Sequence, residues 1–488
     1  MKHDAHARGS RSLAAAGLSL LLVVASIRAL GCDPHTAPPS RAPRSTAPPL
    51  PYPPPSMTSD CGTDDALLQP DAAVDALAAQ CSPVHVDLPE LIPASIDVPV
   101  PPVVDPAGSM AHFHERMASL LRGQARDHVR IGVFGDSNMT MDWITGEMRR
   151  VLQARYGDAG HGYVALARPW EWYRHMDVKA GHDPRDWTPF AVSTHQADDQ
   201  CYGFAGIAAR SERAGAITWV ATADPPAPIG THASRFGVYY LRKPRSGPFD
   251  IQLDGRVVAS LTTDHARIEA GYYAWTADDA PHKVEFISRA AVPTVLFGVT
   301  LERAAPGVVI DSLGIGAVSG PLLLRQNREV MRGALRARRY DLIVLLLGSN
   351  QVWPVRYVQE MTDLIARLRD ALPEVSILVT TPVDRIDSMK AWRSVPGVRE
   401  VSIQNRKVAE ENRCAFWDFR GAMGGEASML KFVLTNMAGG DGIHLTQKGA
   451  SYMGRRTAYA IWRDLEGYLS NHPAAGCSPG ASESTAER

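Results

Sequence analysis

Ile131-Gly132-Val133-Phe134-Gly135-Asp136-Ser137-Asn138 is the stretch on which the fold of this chain turns. Residues with the character of a buried strand lead into Gly135, a polar corner follows, and a helical pattern runs on through Leu152. A serine between a strand tip and a helix start sits where backbone N–H groups point outward and favour an anion. Such a place suits an alkoxide and the oxyanion that it generates. Gly, Asp and Ser are also ordinary turn and cap residues, so the chemistry must be sought in what else reaches this corner.

Working outward, 110–124 reads as a helix, 129–134 as the strand that delivers Ser137, and 140–155 as the following helix. The glycine-rich loop at 156–162 lacks the Lys-Ser/Thr of a phosphate cradle. From 307 the same rhythm resumes, with strands at 308–310, 342–347, 377–381 and 416–419. Helical patterns at 320–336, 355–372, 396–412 and 446–468 alternate with them. Alternation of this kind predicts an α/β domain: a parallel sheet with helices on both faces. Residues 171–305 differ, because helical periodicity is almost absent and short strand-like runs recur around an Asp254-Gly255 hairpin turn. They are read as an all-β, jelly-roll-like sandwich that interrupts the α/β domain after its first strand and helix.

The ends of the chain carry other signals. Lys2, Arg8 and Arg11 precede an apolar run over 13–27 that closes on Ala29-Leu30-Gly31-Cys32. The run is short for a membrane span and reads as a secretory signal. Its ending resembles a bacterial lipobox, although Ala29 stands at the usual leucine position and Arg28 interrupts the run. Cys32 is therefore the expected lipidation site after a signal at 1–32, and the protein is expected to be exported to the cell envelope, lipid-anchored on a periplasmic or outer-membrane face. Residues 33–106 are expected to form a proline-rich stalk, and 471–488 a disordered tail. Of the other cysteines, Cys61 and Cys81 are the expected pair by proximity, and no CxxC site occurs. A formal net charge of −1 gives no electrostatic case for nucleic acid.

In sheets of this type, sites form at the carboxyl ends of strands. Three such places carry unusual residues: Gly135-Asp136-Ser137, Gly348-Ser349-Asn350-Gln351, and Asp441-Gly442-Ile443-His444 before the last helix. Their residue types suit acyl transfer. A serine hydroxyl needs an imidazole to take its proton, and the imidazole needs a carboxylate to fix its tautomer, here His444 and Asp441. An oxyanion would find donors in the Asn350 side chain, the Ser137 amide and a glycine amide.

These three blocks resemble those of the SGNH (GDSL) hydrolase superfamily, over roughly 107–170 and 306–470, and the resemblance implies that the parallel sheet is flavodoxin-like. The resemblance implies Ser137 as nucleophile, His444 as base oriented by Asp441, and an oxyanion hole of Ser137, Asn350 and a glycine of Asp311-Ser312-Leu313-Gly314-Ile315-Gly316-Ala317. Gly316 is favoured for that glycine, with Gly314 second. A sandwich inserted at 171–305 is similar to that of bacterial peptidoglycan O-acetylesterases, whose insert resembles a carbohydrate-binding module. Asn138 and Gln351 depart from the His and Glu those enzymes often carry.

The resemblance implies a serine esterase that removes acetyl groups from an O-acylated polysaccharide and uses no metal or cofactor. O-Acyltransfer, a lipase or thioesterase, and a non-catalytic glycan-binding lipoprotein are the competing readings; oligomeric state is left open. Trp353 could stack on a sugar, whereas Trp170, Trp172 and Tyr173 are assigned to packing. His112, His114, His175 and His182 lack metal-ligand spacing. Asp136 is expected to brace the serine loop.

Overall fold

The computed structural model describes residues 82–86, 98–351, 354–388, 390 and 393–477. Helix α1 (Ala111–Leu121) precedes strand β1 (Val129–Gly135), and α2 (Trp143–Tyr156) follows the turn bearing Ser137. Then come β2 (Gly162–Ala165), β3 (Val178–His182), β4 (Thr188–Ala191), β5 (Ile207–Ser211), β6 (Ile217–Thr222) and β7 (Ala233–Arg242). The insert ends with β8 (Phe249–Leu253), β9 (Arg256–Leu261), β10 (Glu269–Ala280), β11 (Lys283–Ser288) and β12 (Thr294–Glu302). The α/β part resumes with β13 (Val308–Gly314), α3 (Gly320–Leu324), α4 (Arg328–Arg338), β14 (Leu342–Leu346), α5 (Tyr357–Ala371) and β15 (Ser376–Thr380). It closes with α6 (Pro396–Glu411), β16 (Ala415–Trp417), α7 (Phe419–Met423), α8 (Ser428–Leu434) and α9 (Gln447–Asn471).

The parallel sheet has the order β13-β1-β14-β15-β16, which is second-first-third-fourth-fifth within the domain and therefore flavodoxin-like. Its strands are apolar on both faces because both are covered. Ile343, Leu345, Ile377 and Val379 join one core, and Leu342, Val344, Leu346 and Leu378 join the other. The first core continues through Phe134 into the sandwich, so the insert is packed onto the α/β layer rather than tethered to it. The sandwich itself pairs a sheet ordered β10-β7-β12-β5-β4, with β2 on β12, against one ordered β3-β6-β11-β8-β9.

A buried charge network joins insert to sheet. Glu302 at the end of β12 accepts from Arg130 of β1 at 2.9 Å and from Arg338 of α4 at 2.5 Å. Arg338 also donates to Asp311 at 2.6 Å, and Asp311 accepts the Tyr163 N–H at 2.8 Å. Burial pushes the Glu302 carboxyl up, but the Arg338 and Arg130 guanidinium groups together outweigh it and hold the carboxyl well below its ordinary range.

Several expectations need correction. The insert starts at Gly162, not at 171, because Gly162–Ala165 pairs antiparallel with β12. The helix expected at 320–336 is two, since the Asn327 side chain accepts from the Glu329 and Val330 N–H groups and caps a new helix. The last residues of the expected stalk belong to the folded body: Val104 bridges Phe416, and Trp417 Nε1 donates to the Pro101 carbonyl at 3.0 Å. The expected tail likewise begins folded, with Arg122 donating to the Pro473 and Ala475 carbonyls.

Cys201 and Cys414 are free and buried, and Cys477 is disulfide-bonded. The signal segment, Cys32, the Cys61–Cys81 pair and Trp353 lie outside the described residues. No helix among the described residues is long and apolar enough to cross a membrane.

Candidate active site

The strand register assembles the site. Gly135 is opposite both Gly314 and Leu346, so the loops that leave β1, β13 and β14 emerge side by side at one edge of the sheet. Those loops carry Ser137, Gly316 and Asn350. The fourth piece, Asp441 to His444, lies between α8 and α9. Helix α9 shares a core with α2 through Ala450, Met453 and Ile461 against Ile144, Met148 and Leu152, which fixes that loop over the serine.

A continuous hydrogen-bond chain results. His444 Nε2 lies 2.9 Å from Ser137 Oγ, and His444 Nδ1 lies 2.8 Å from Asp441 Oδ2. Asp441 Oδ1 accepts the Ile443 and His444 N–H groups at 2.9 and 3.0 Å, so the carboxylate organises its own loop before it orients the ring. Burial pushes the Asp441 carboxyl up, but the His444 ring and those two amides outweigh it and hold it below the ordinary value. Such an Asp stays ionised and keeps the proton on Nδ1, leaving Nε2 free to accept from the serine. Gly442 takes φ +66 in this turn, a conformation that side chains rarely adopt.

The serine turn is braced from within. Asp136 is buried, and its Oδ1 accepts the Asn138 N–H at 3.0 Å. Burial raises its carboxyl pKa against the hydrogen bond from the Asn138 N–H. Asn138 clips this turn to the histidine loop: its Oδ1 accepts the Leu445 N–H at 2.9 Å, and its Nδ2 donates to the Ile443 carbonyl at 3.4 Å. The departure noted in the sequence at Asn138 is thus a bridge between the two blocks.

Asn350 donates one Nδ2 hydrogen to the Val318 carbonyl at 3.1 Å, which aligns it with the loop after β13 and leaves its second hydrogen. Gly348 before it takes φ +127, and a Cβ there would come within 2.6 Å of Val401 Cγ1. Gly316 is only half-buried, and a Cβ on it would meet nothing within 4 Å. Packing therefore does not hold Gly316 in place. Hydrogen bonds do: the Ile315 N–H donates to the Gly135 carbonyl at 3.0 Å, and Ser193 Oγ donates to the Gly316 carbonyl at 2.6 Å. Ser193 belongs to the insert, and nothing in its sequence setting marked it. A contact across more than a hundred residues has no local pattern.

Asp142, His161 and His175 offer ligand atoms within 4.8 Å of one another. Their donor set fits a cation poorly. Arg149 already pairs with both Asp142 oxygens at 2.9 and 3.1 Å, and His161 Nε2 is bonded directly to His175 Nδ1 at 3.0 Å. A divalent ion would have to displace the arginine. His175 is thus locked in a polar bridge, and His114 is paired with Asp464 at 3.0 Å. Tyr173 is buried and Trp170 packs on it, whereas Trp172 is exposed.

A flavodoxin-like sheet whose first strand ends in a serine bonded to an Asp-x-x-His histidine is the arrangement that the resemblance to SGNH hydrolases implies, and it is the equipment of a hydrolytic esterase. Residues 287–451 match the GDSL-like lipase/acylhydrolase family model. No curated protein matches the chain in sequence. Among solved structures it is similar to a peptidoglycan O-acetylesterase, at 22% identity and TM-score 0.62 over 76% of this chain and 99% of that one. A family two carbohydrate esterase from Cellvibrio japonicus also matches, at 12% identity and TM-score 0.24 over 60% of this chain and 98% of that one. At these identities the first likeness speaks to the fold, insert included, and the second carries no weight.

Proposed function

We propose that this protein is an exported serine esterase that removes acetyl groups from an O-acetylated polysaccharide of the cell envelope. The observation that carries the reading is the unbroken chain from Asp441 through His444 to Ser137, beside the Gly316 and Asn350 loops. Ser137 Oγ attacks the ester carbonyl while His444 Nε2 takes its proton. The tetrahedral oxyanion is held by the Ser137 and Gly316 amides and Asn350 Nδ2. Collapse expels the sugar oxygen, which receives the proton from His444, and leaves acetyl-Ser137. A water, deprotonated by His444, then releases acetate and restores the serine.

Exposure favours a polymer over a long acyl chain. The His444 and Asp441 side chains are 46% and 48% exposed, so a bulky glycan can reach the serine. A lipase needs an apolar channel for its substrate. Export is supported by the basic-then-apolar start of the chain and by the disulfide at Cys477; lipid anchoring at Cys32 belongs to the same proposal.

Acetate release is the test. Acetylated polysaccharides and nitrophenyl esters of increasing acyl length are assayed with wild type and Ser137→Ala. Acetate from a polysaccharide, lost in the variant, is expected. Rates that climb with acyl length would make the protein a lipase, and glycan binding without acetate release from any ester would make it a binding protein.

A further inference from the structure

A cavity of about 330 Å³ opens on the sandwich, lined from β2 and the segment after it and from β3 and β6. Its lining holds three cations, Arg168, Arg174 and Lys179, and no carboxylate. Among the described residues, Arg174 donates only to the Glu171 and Tyr173 carbonyls and Arg168 makes no ion pair. Lys179 pairs with Asp224 at 2.7 Å, but Asp224 is 74% exposed, and a surface pair of that kind contributes little. The positive charge is therefore available to a ligand. Trp219 forms an apolar wall, and Trp172, 54% exposed, precedes the lining residues Tyr173 and Arg174 in sequence.

The floor is rigid and neutral. The Tyr173 hydroxyl accepts the Ala165 N–H at 3.0 Å and lies 2.8 Å from His175 Nε2, with His161 beyond. Burial pushes the His175 ring down to about 4, so it adds no charge of its own near neutrality. At the rim, Ala167 and Arg168 take φ of +53 and +33 in succession. Two consecutive non-glycine residues in that region are costly, and such strain gathers at ligand sites. The floor is also tied to the active-site segment, since the Met176 N–H donates to Asp142 Oδ2 at 3.0 Å, just before α2.

We propose that this cavity is a second glycan site, which holds a carboxylate-bearing sugar unit of the polymer that Ser137 deacetylates. Guanidinium forks pair with a carboxylate in two-point geometry, and the apolar wall covers a sugar's C–H face. The proposal rests on the polysaccharide reading for its polymer but not for its ligand chemistry. The carboxylate could come from a hexuronate or from the peptide stem of a muramyl peptide.

Calorimetric titration of the full chain carrying Ser137→Ala separates the two readings, because binding needs no turnover. The ligands are a hexuronate oligosaccharide, a muramyl peptide fragment and a neutral oligosaccharide of equal length. One acidic ligand should bind at least about tenfold tighter than the neutral one. Adding Arg168→Ala with Arg174→Ala should erase that preference, and raising the salt should weaken it. With Ser137 intact, the same pair should leave nitrophenyl acetate turnover unchanged while raising KM for the acidic polymer. Equal binding of neutral and acidic ligands, or acidic binding that survives the double substitution, would overturn the proposal. Acidic binding without acetate release would sink the esterase reading and leave this site standing.

Discussion

Asp441→Asn separates two ways in which the carboxylate could act. Asparagine keeps an oxygen for the Ile443 and His444 N–H groups, so the turn should hold its shape. What changes is the group facing His444 Nδ1 at 2.8 Å, which becomes an NH2 donor. The ring must then accept at Nδ1 and carry its proton on Nε2, which can no longer take the Ser137 proton. If charge alone mattered, a pair with side chains 46% and 48% exposed would be worth about 1 kcal/mol or less, roughly tenfold or less in rate at most. The tautomer switch in a serine-histidine-aspartate triad costs on the order of 10⁴ in kcat, about 5 kcal/mol of activation free energy. The tautomer effect should therefore dominate. Steady-state kinetics on a soluble acetyl ester, with a thermal melt as control, measures both. A loss near 10⁴ with an almost unmoved melting midpoint is expected. A loss under tenfold would refute the orienting role of Asp441.

Four further outcomes are expected. Asn350→Ala should lower kcat on the order of 10²–10³ with KM little changed, as for loss of one oxyanion donor, and an equal rise in KM with intact kcat would contradict that role. Ser193→Ala, by freeing the Gly316 carbonyl, should lower kcat about tenfold without altering the melt, and Ser193→Thr should restore it; a change confined to stability would make Ser193 merely structural. Gly348→Ala should destabilise by about 2 kcal/mol or more, read as a lower urea midpoint, because its φ is +127 and Val401 stands in the way. Buried His175 has a folded pKa near 4 against 6.5 unfolded, so its contribution to stability is full above 6.5 and is lost as pH falls toward 4. Urea unfolding should thus show about 2 kcal/mol less stability at pH 5 than at pH 7 from this ring alone, and a flat profile would mean that the ring is solvated.

The parallel sheet could be read from sequence because its signals are local: apolar runs of strand length, spaced by amphipathic helices. The three blocks were legible for the same reason, each being a short run at a strand end or helix start. The start of the insert was not. Gly162-Tyr163-Val164-Ala165 sits in a glycine-rich stretch that reads as loop, and only pairing with Val299 and its neighbours makes it a strand. Nor could the ends of the chain be placed, since the Trp417 bond to Pro101 turns apparent linker into packed structure. Asn138 stood out only as a departure from the His that peptidoglycan O-acetylesterases often carry, yet its side chain joins two loops separated by about three hundred residues. The role of Ser193 depends on how the sandwich is docked, which no residue pattern within it specifies, and the cation-lined cavity depends on how the segment after β2 folds against β3 and β6.

Trapping the covalent intermediate addresses the account most directly. The protein is mixed with an O-acetylated polysaccharide, quenched in acid during turnover, digested and mapped by mass spectrometry. One acetyl group should appear on Ser137, should be absent from Ser137→Ala, and should decay as acetate is released. Acetate release at full rate by Ser137→Ala, or an acetyl group carried on a different residue, would contradict it.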